Sequence, residues 1–299
     1  MCGIVGLHLR NPELYPRLGE LLTGMLCEMG ERGSDSAGVA VYGDPTWSPP
    51  GHSTVSLLEV PAAQADSLSA VLGEALGAEV AVLPLADTLV VHAPVDTEAL
   101  LGAARAAVPS ALVAGFGQDV AVLKGVGHPR DLARRYGLAQ AQGWQGVGHT
   151  RMATESAVNA AGCHPYAVGP DQCLVHNGSL SNHSNVRREL KRDGMRFETE
   201  NDTEVAAAFI SNKMAHGDNL GEALEKTLTD LDGFFTFVVG TKDGFGVVRD
   251  PIACKPAVMA ETDQYVAFGS EYRALAGLPG IDQAKVWEPE PATVYFWEH

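Results

Sequence analysis

The strongest constraint on this chain lies at its beginning. Cys2 leads directly into an apolar stretch over residues 3–8 that reads as a strand. This strand, followed by a helix, opens the fold. Leu18, Leu21, Leu22, Met25, Leu26 and Met29 then recur at helical spacing over residues 16–30. The small and turn-forming residues of 31–38 break that helix before a second strand at 39–42, and Pro45, Pro49, Pro50 and Gly51 mark a boundary.

Beyond that boundary the pattern changes. Strand-like 53–60, helix-like 62–77, strands near 79–84 and 88–93, helix-like 96–107 and strand-like 119–124 give the order β-α-β-β-α-β of a ferredoxin-like unit. We therefore expect an inserted subdomain over residues 49–125. A linking helix at 129–141 and a strand at 143–148 return to the first pattern, followed by helices at 183–193, 202–214 and 220–231. Short apolar runs at 234–239, 245–248, 257–259, 265–269 and 293–297 read as antiparallel strands. The fold class is α+β.

Composition narrows the function. With 37 acidic against 21 basic residues the formal charge is −16, which repels the phosphates of nucleic acids and anionic membranes. No apolar run approaches the roughly 18–20 residues of a bilayer span, and no basic and apolar export signal opens the chain, so a cytoplasmic location is expected. The five cysteines are widely spaced without a CxxC pair, which predicts reduced thiols. Cys163, His164, Cys173 and His176 match no four-ligand spacing, and no metal is expected.

Cys2 itself is the most informative position. Removal of Met1 would leave a cysteine with a free α-amine, whose ordinary pKa of about 7.7–8.0 lets it accept the thiol proton at neutral pH. One residue then supplies nucleophile and base. Taken singly, it is equally a small apolar residue at the head of a buried strand. Four further segments follow in order: Arg32-Gly33-Ser34-Asp35-Ser36-Ala37-Gly38, Gly148-His149-Thr150-Arg151-Met152-Ala153-Thr154, His176-Asn177-Gly178 and Asn201-Asp202-Thr203-Glu204. With Met1-Cys2-Gly3-Ile4-Val5-Gly6 they resemble the class II glutamine amidotransferases, N-terminal-nucleophile hydrolases that release ammonia from glutamine. The resemblance covers residues 2–42 and about 146–275. It implies a four-layer αββα sandwich formed by residues 2–48 and 126–299, interrupted by the insert.

The resemblance also implies roles. Cys2 attacks the glutamine amide, while the Asn177 side chain and the Gly178 N–H form the oxyanion hole. Arg151 and Asp202 bind the substrate α-carboxylate and α-ammonium, a pairing that suits the planar fork of arginine. Thr154 adds a substrate contact, and Arg32 supports or gates the pocket. Read singly, Asn177-Gly178 is a hairpin turn, Asp202 a helix cap and Arg151 a surface ion-pair member. His149 and His176 are expected to be structural, because the terminal amine makes a histidine base unnecessary.

Where sugar-phosphate amidotransferases carry tryptophan and then His-Gly, this chain has Met152 and then Glu155-Ser156. The segment looks more like the amidotransferase subunits related to glutamate synthase, including that of N-methylglutamate synthase. No phosphate-binding loop or dinucleotide fingerprint and no second large domain after residue 280 is legible. Ammonia is therefore expected to pass to a separate synthase subunit carrying FMN, with no cofactor on this chain. Two other readings remain: a stand-alone amidase of the same fold, and a non-catalytic regulatory subunit that senses an amino acid.

Overall fold

The structure, a computed structural model, describes residues 2–152 and 158–299. Strand β1 (Gly3–Leu9) leads through a short 3-10 turn to helix α1 (Leu18–Glu28) and strand β2 (Ser36–Tyr42). Next come β3 (Ser53–Leu58), α2 (Ala65–Leu76), β4 (Ala81–Leu85), β5 (Thr88–Ala93), α3 (Thr97–Ala107) and β6 (Leu112–Gly117). Strand β7 (Val120–Val126), helix α4 (Pro129–Tyr136) and strand β8 (Gln145–Arg151) follow. The last part holds β9 (Gln172–Leu180), α5 (His183–Arg192), α6 (Asp202–Ala215), α7 (Leu220–Asp230), β10 (Gly233–Thr241) and β11 (Gly244–Arg249). It ends with β12 (Val258–Glu261), β13 (Tyr265–Gly269), β14 (Lys285–Trp287) and β15 (Thr293–Glu298).

Among the described residues these strands form a seven-stranded sheet, β14-β12-β13-β1-β8-β2-β7, and two four-stranded sheets. The seven-stranded sheet stacks on the sheet β15-β11-β10-β9, with helices on both outer faces. Strand periodicity explains the layering, because successive side chains point to opposite faces. On β1, Val5, Leu7 and Leu9 face the cluster containing Leu22, Met25 and Leu26 of α1, whereas Ile4 joins Val175, Val238 and Phe245 between the sheets. On β10, Phe235, Phe237 and Val239 pack under Val205, Ala206 and Phe209 of α6, and Val238 turns to the sheet interface. Each of these large side chains contributes about 1.5–3 kcal/mol through burial. Gly6 is small for a reason: a Cβ there would lie 2.8 Å from the Phe245 ring of the facing sheet. The result is the αββα sandwich expected from the motifs.

The remaining sheet, β4-β5-β3-β6, is antiparallel and packs α2 and α3 on one core of Val55, Leu57, Leu72, Leu89, Val91 and Leu100. Asp96 caps α3, accepting from the Glu98 and Ala99 amides at 3.0 and 3.3 Å. One element differs from the sequence reading. The strand expected at 119–124 exists as β7 but pairs with β2 at the edge of the seven-stranded sheet, and the fourth strand of the insert sheet is β6. Gly115 and Gly117 break the apolar alternation of β6, which hides it from a periodicity reading. Ser56 of β3 accepts from the Val122 amide of β7 at 3.0 Å and ties the insert to the core. No helix among the described residues is long and apolar enough to cross a membrane.

Candidate active site

The register between β1 and β8 gathers the first motifs. Gly3 pairs with Thr150, and Ser36 at the head of β2 pairs with Arg151. Cys2 and Arg151 therefore share one end of the seven-stranded sheet. The Arg32-Gly33 turn folds over the same end, where a Cβ on Gly33 would collide with the Thr150 backbone at 2.5 Å. Cys2 is half-buried, its Sγ lying 3.9 Å from the Met152 carbonyl. Arg32 donates from Nε to the Cys2 carbonyl at 2.9 Å and from Nη1 to Glu271 at 2.5 Å. That guanidinium holds the Glu271 carboxyl below its usual range, and Arg273 pairs with the second carboxylate oxygen at 2.8 Å.

The second sheet supplies Asn177 and Gly178. Asn177 Nδ2 donates to the Cys2 carbonyl at 3.2 Å and lies 3.4 Å from Ser270 Oγ, while its Oδ1 faces His149 Nε2 at 3.2 Å. Ser270 in turn accepts from the Ile4 amide at 2.9 Å. Gly178 follows on β9, the edge strand of its sheet, with φ of +144° and an exposed backbone. A Cβ there would lie 1.9 Å from the Phe234 carbonyl, so the position requires glycine.

Asp202 opens α6, but the cap is Asn201, whose side chain accepts from the Thr203 amide at 2.8 Å. Asp202 instead accepts from the Leu180 amide at 2.9 Å, which holds the carboxylate against the end of β9. Arg151 is 9% exposed, with Gly162 packed beside its guanidinium. Thr154 lies outside the described residues.

Beneath Asn177, His149 and His164 stack at 4.0 Å between ring centroids, and His176 continues the column at 6.4 Å. Burial pushes His149 down to about 3 and His176 to about 4, and holds His164 well below the usual imidazole value. All three rings are neutral at pH 7. Among the described residues, His149 contacts Asn177, and His176 Nδ1 lies 3.0 Å from Thr203 Oγ1 and 3.9 Å from the Asp202 carboxylate. The structure thus brings Cys2, Arg32, Asn177 and Gly178 together, with Arg151 at the same sheet end. Sequence reasoning missed Ser270, Glu271 and Arg273, which carry no local motif and meet their partners only through the fold.

Comparison with known proteins agrees with this geometry. A family profile described as a glutamine amidotransferase domain matches residues 149–277. The glutamine amidotransferase-like protein GlxB of Rhizobium meliloti (strain 1021) is 56% identical over the whole of this chain and 99% of its own length. The chain belongs to the class II glutamine amidotransferases. The amidophosphoribosyltransferase of Methanocaldococcus jannaschii is 28% identical over 60% of the chain, which spans 38% of that relative. The glutamine phosphoribosylpyrophosphate amidotransferase of B. subtilis shares the fold with a TM-score of 0.62 at 18% identity, across 99% of this chain and 47% of that one. The chain spans less than half the length of these last two proteins. With the B. subtilis protein, the shared portion is the fold.

Proposed function

We propose that this amidotransferase hydrolyses glutamine to glutamate and ammonia through a Cys2 thioester. After loss of Met1 the α-amine takes the thiol proton, and the thiolate attacks the glutamine δ-carbonyl. Asn177 Nδ2 and the Gly178 N–H stabilise the oxyanion, a pair of donors each contributing about 3 kcal/mol to the transition state. The C–N bond breaks and ammonia leaves with the proton from the amine. Water then hydrolyses the thioester with the same amine as base. Arg151 grips the α-carboxylate, Asp202 accepts from the α-ammonium, Thr154 adds a contact, and Arg32 holds the Cys2 backbone. The observation that carries this reading is Asn177 of one sheet bonded to the Cys2 carbonyl of the other at 3.2 Å.

In solution ammonia is mostly protonated and useless as a nucleophile, which favours direct transfer to a partner. The Arg151-to-Ser156 segment supports a glutamate-synthase-like or N-methylglutamate synthase partner, with FMN on that subunit and the assembly in the cytoplasm. Intact-mass spectrometry after exposure to 6-diazo-5-oxo-norleucine tests the nucleophile. A single adduct on Cys2 of the Met1-free chain is expected, with glutamate release in the wild type and none from Cys2→Ala. Glutamate release that survives Cys2→Ala would refute the reading.

A further inference from the structure

Asn177 has two chemically opposite ends, and only one orientation of its amide places a donor at the nucleophile. The Cys2 carbonyl accepts from Nδ2 at 3.2 Å, so Oδ1 points down onto His149 Nε2 at 3.2 Å. An acceptor oxygen at that distance requires a donor opposite it. Were Nε2 unprotonated, two lone pairs would face each other and the amide would gain by turning over. The turned amide would set Oδ1 against the Cys2 carbonyl and present an acceptor where the oxyanion forms.

We infer that His149 is the positioning residue of the oxyanion hole: as the Nε2–H tautomer it donates to Asn177 Oδ1 and thereby aims Nδ2 at the reacting carbonyl. This rests on the glutaminase reading above and deepens it. Three further observations agree. His149 Nδ1 is buried without a protein partner among the described residues, so the opposite tautomer would strand a buried N–H donor as well as break the Asn177 bond. The ring stays neutral, because burial keeps its pKa near about 3. Its plane is fixed by the stacked His164 at 4.0 Å, and that ring is itself held at both nitrogens. His164 Nδ1 accepts from the His176 amide at 3.2 Å, which makes His164 Nε2 the protonated nitrogen that faces Thr203 Oγ1 at 3.3 Å. Thr203 Oγ1 also contacts His176 Nδ1 at 3.0 Å and links the two rings. Through these contacts the column fixes the plane of His149 and, with it, the direction of the Asn177 amide.

Two measurements test this. In 15N-labelled wild-type protein, assigned by comparison with His149→Gln, His149 Nε2 should resonate in the pyrrole-type range and Nδ1 in the pyridine-type range. The reverse pattern overturns the inference. In steady-state glutamine hydrolysis, His149→Phe keeps the stacking volume but removes the donor, and kcat should fall roughly 10- to 100-fold with KM changed less than about twofold. His149→Gln, which can donate through its amide, should recover most of that loss. An unchanged kcat in the folded Phe variant, a loss carried in KM, or no recovery by Gln would each overturn the assignment. If His149→Phe does not fold, the tautomer and the Gln variant still decide. A wild-type protein that releases no glutamate overturns the glutaminase reading itself, in an arm that involves no variant.

Discussion

Acidification from pH 7 to pH 5 should draw heavily on the stability of this protein, and the buried histidine column sets the size of the effect. In the unfolded chain each histidine titrates near about 6.5, so at pH 5 it sits about 1.5 units below its pKa and gains roughly 2 kcal/mol from protonation. In the fold, His149 and His176 hold values of about 3 and 4, and His164 lies well below the ordinary value, so the rings stay largely neutral at pH 5. The sign follows from linkage. Because the folded pKa values are depressed, the unfolded state binds more protons below pH 6.5, and stability falls as the pH drops until the folded values are reached. Three rings together amount to about 5–6 kcal/mol, comparable with the whole stability of many domains. Buried His8, pushed down to about 4, acts in the same direction. The Asp119 and Asp171 carboxyls, raised by burial, oppose it. Comparison with a variant cancels such background. Urea unfolding of wild type and His164→Phe at pH 7, 6 and 5 isolates one ring. Phe loses the hydrogen bonds to His176 and Thr203 at every pH, but it should lose about 2 kcal/mol less than wild type between pH 7 and 5. Parallel pH slopes for the two proteins would refute the claim that His164 is buried and neutral.

Two further outcomes are expected. Gly178→Ala forces a Cβ to within 1.9 Å of the Phe234 carbonyl at a φ of +144°, so it should cost a few kcal/mol, on the order of 2–4, in urea unfolding and abolish glutamate release. Wild-type stability in that variant would mean that β9 does not pair with β10 as described. Glu271→Gln leaves Arg32 and Arg273 without the carboxylate between them, loosening the tie on the Cys2 carbonyl. Alkylation of Cys2 by 6-diazo-5-oxo-norleucine should slow several-fold, and an unchanged rate would show that the tie does not hold the nucleophile.

Much of the fold is legible in the chain because burial writes itself locally. The period-2 pattern of β10 and the helical spacing of α1 each name the face that meets a neighbour, and the structure buries those faces. Helices expected at 183–193, 202–214 and 220–231 are observed at His183–Arg192, Asp202–Ala215 and Leu220–Asp230. Strand β6 is not legible because its glycines remove the alternation, and β7 reads as part of the insert because periodicity does not say that its partner is β2. At the site, the five motifs contain Cys2, Arg32, Arg151, Asn177 and Asp202. Their order along the chain said nothing of Ser270 or Glu271, and nothing of the reason for His149.

The sequence by itself determined the alternation of buried faces, the candidate nucleophile and the family, since these are properties of residue types at short spacing. The meeting of Cys2 with Asn177, and of Arg32 with Glu271, was decided only by tertiary structure. Those pairs lie 175 and 239 positions apart, and strand register and sheet stacking bring them together. Hydrogen-bond polarity does the rest: the direction of the Asn177 amide is a property of what lies above and below it, and no residue near it in the chain fixes that direction.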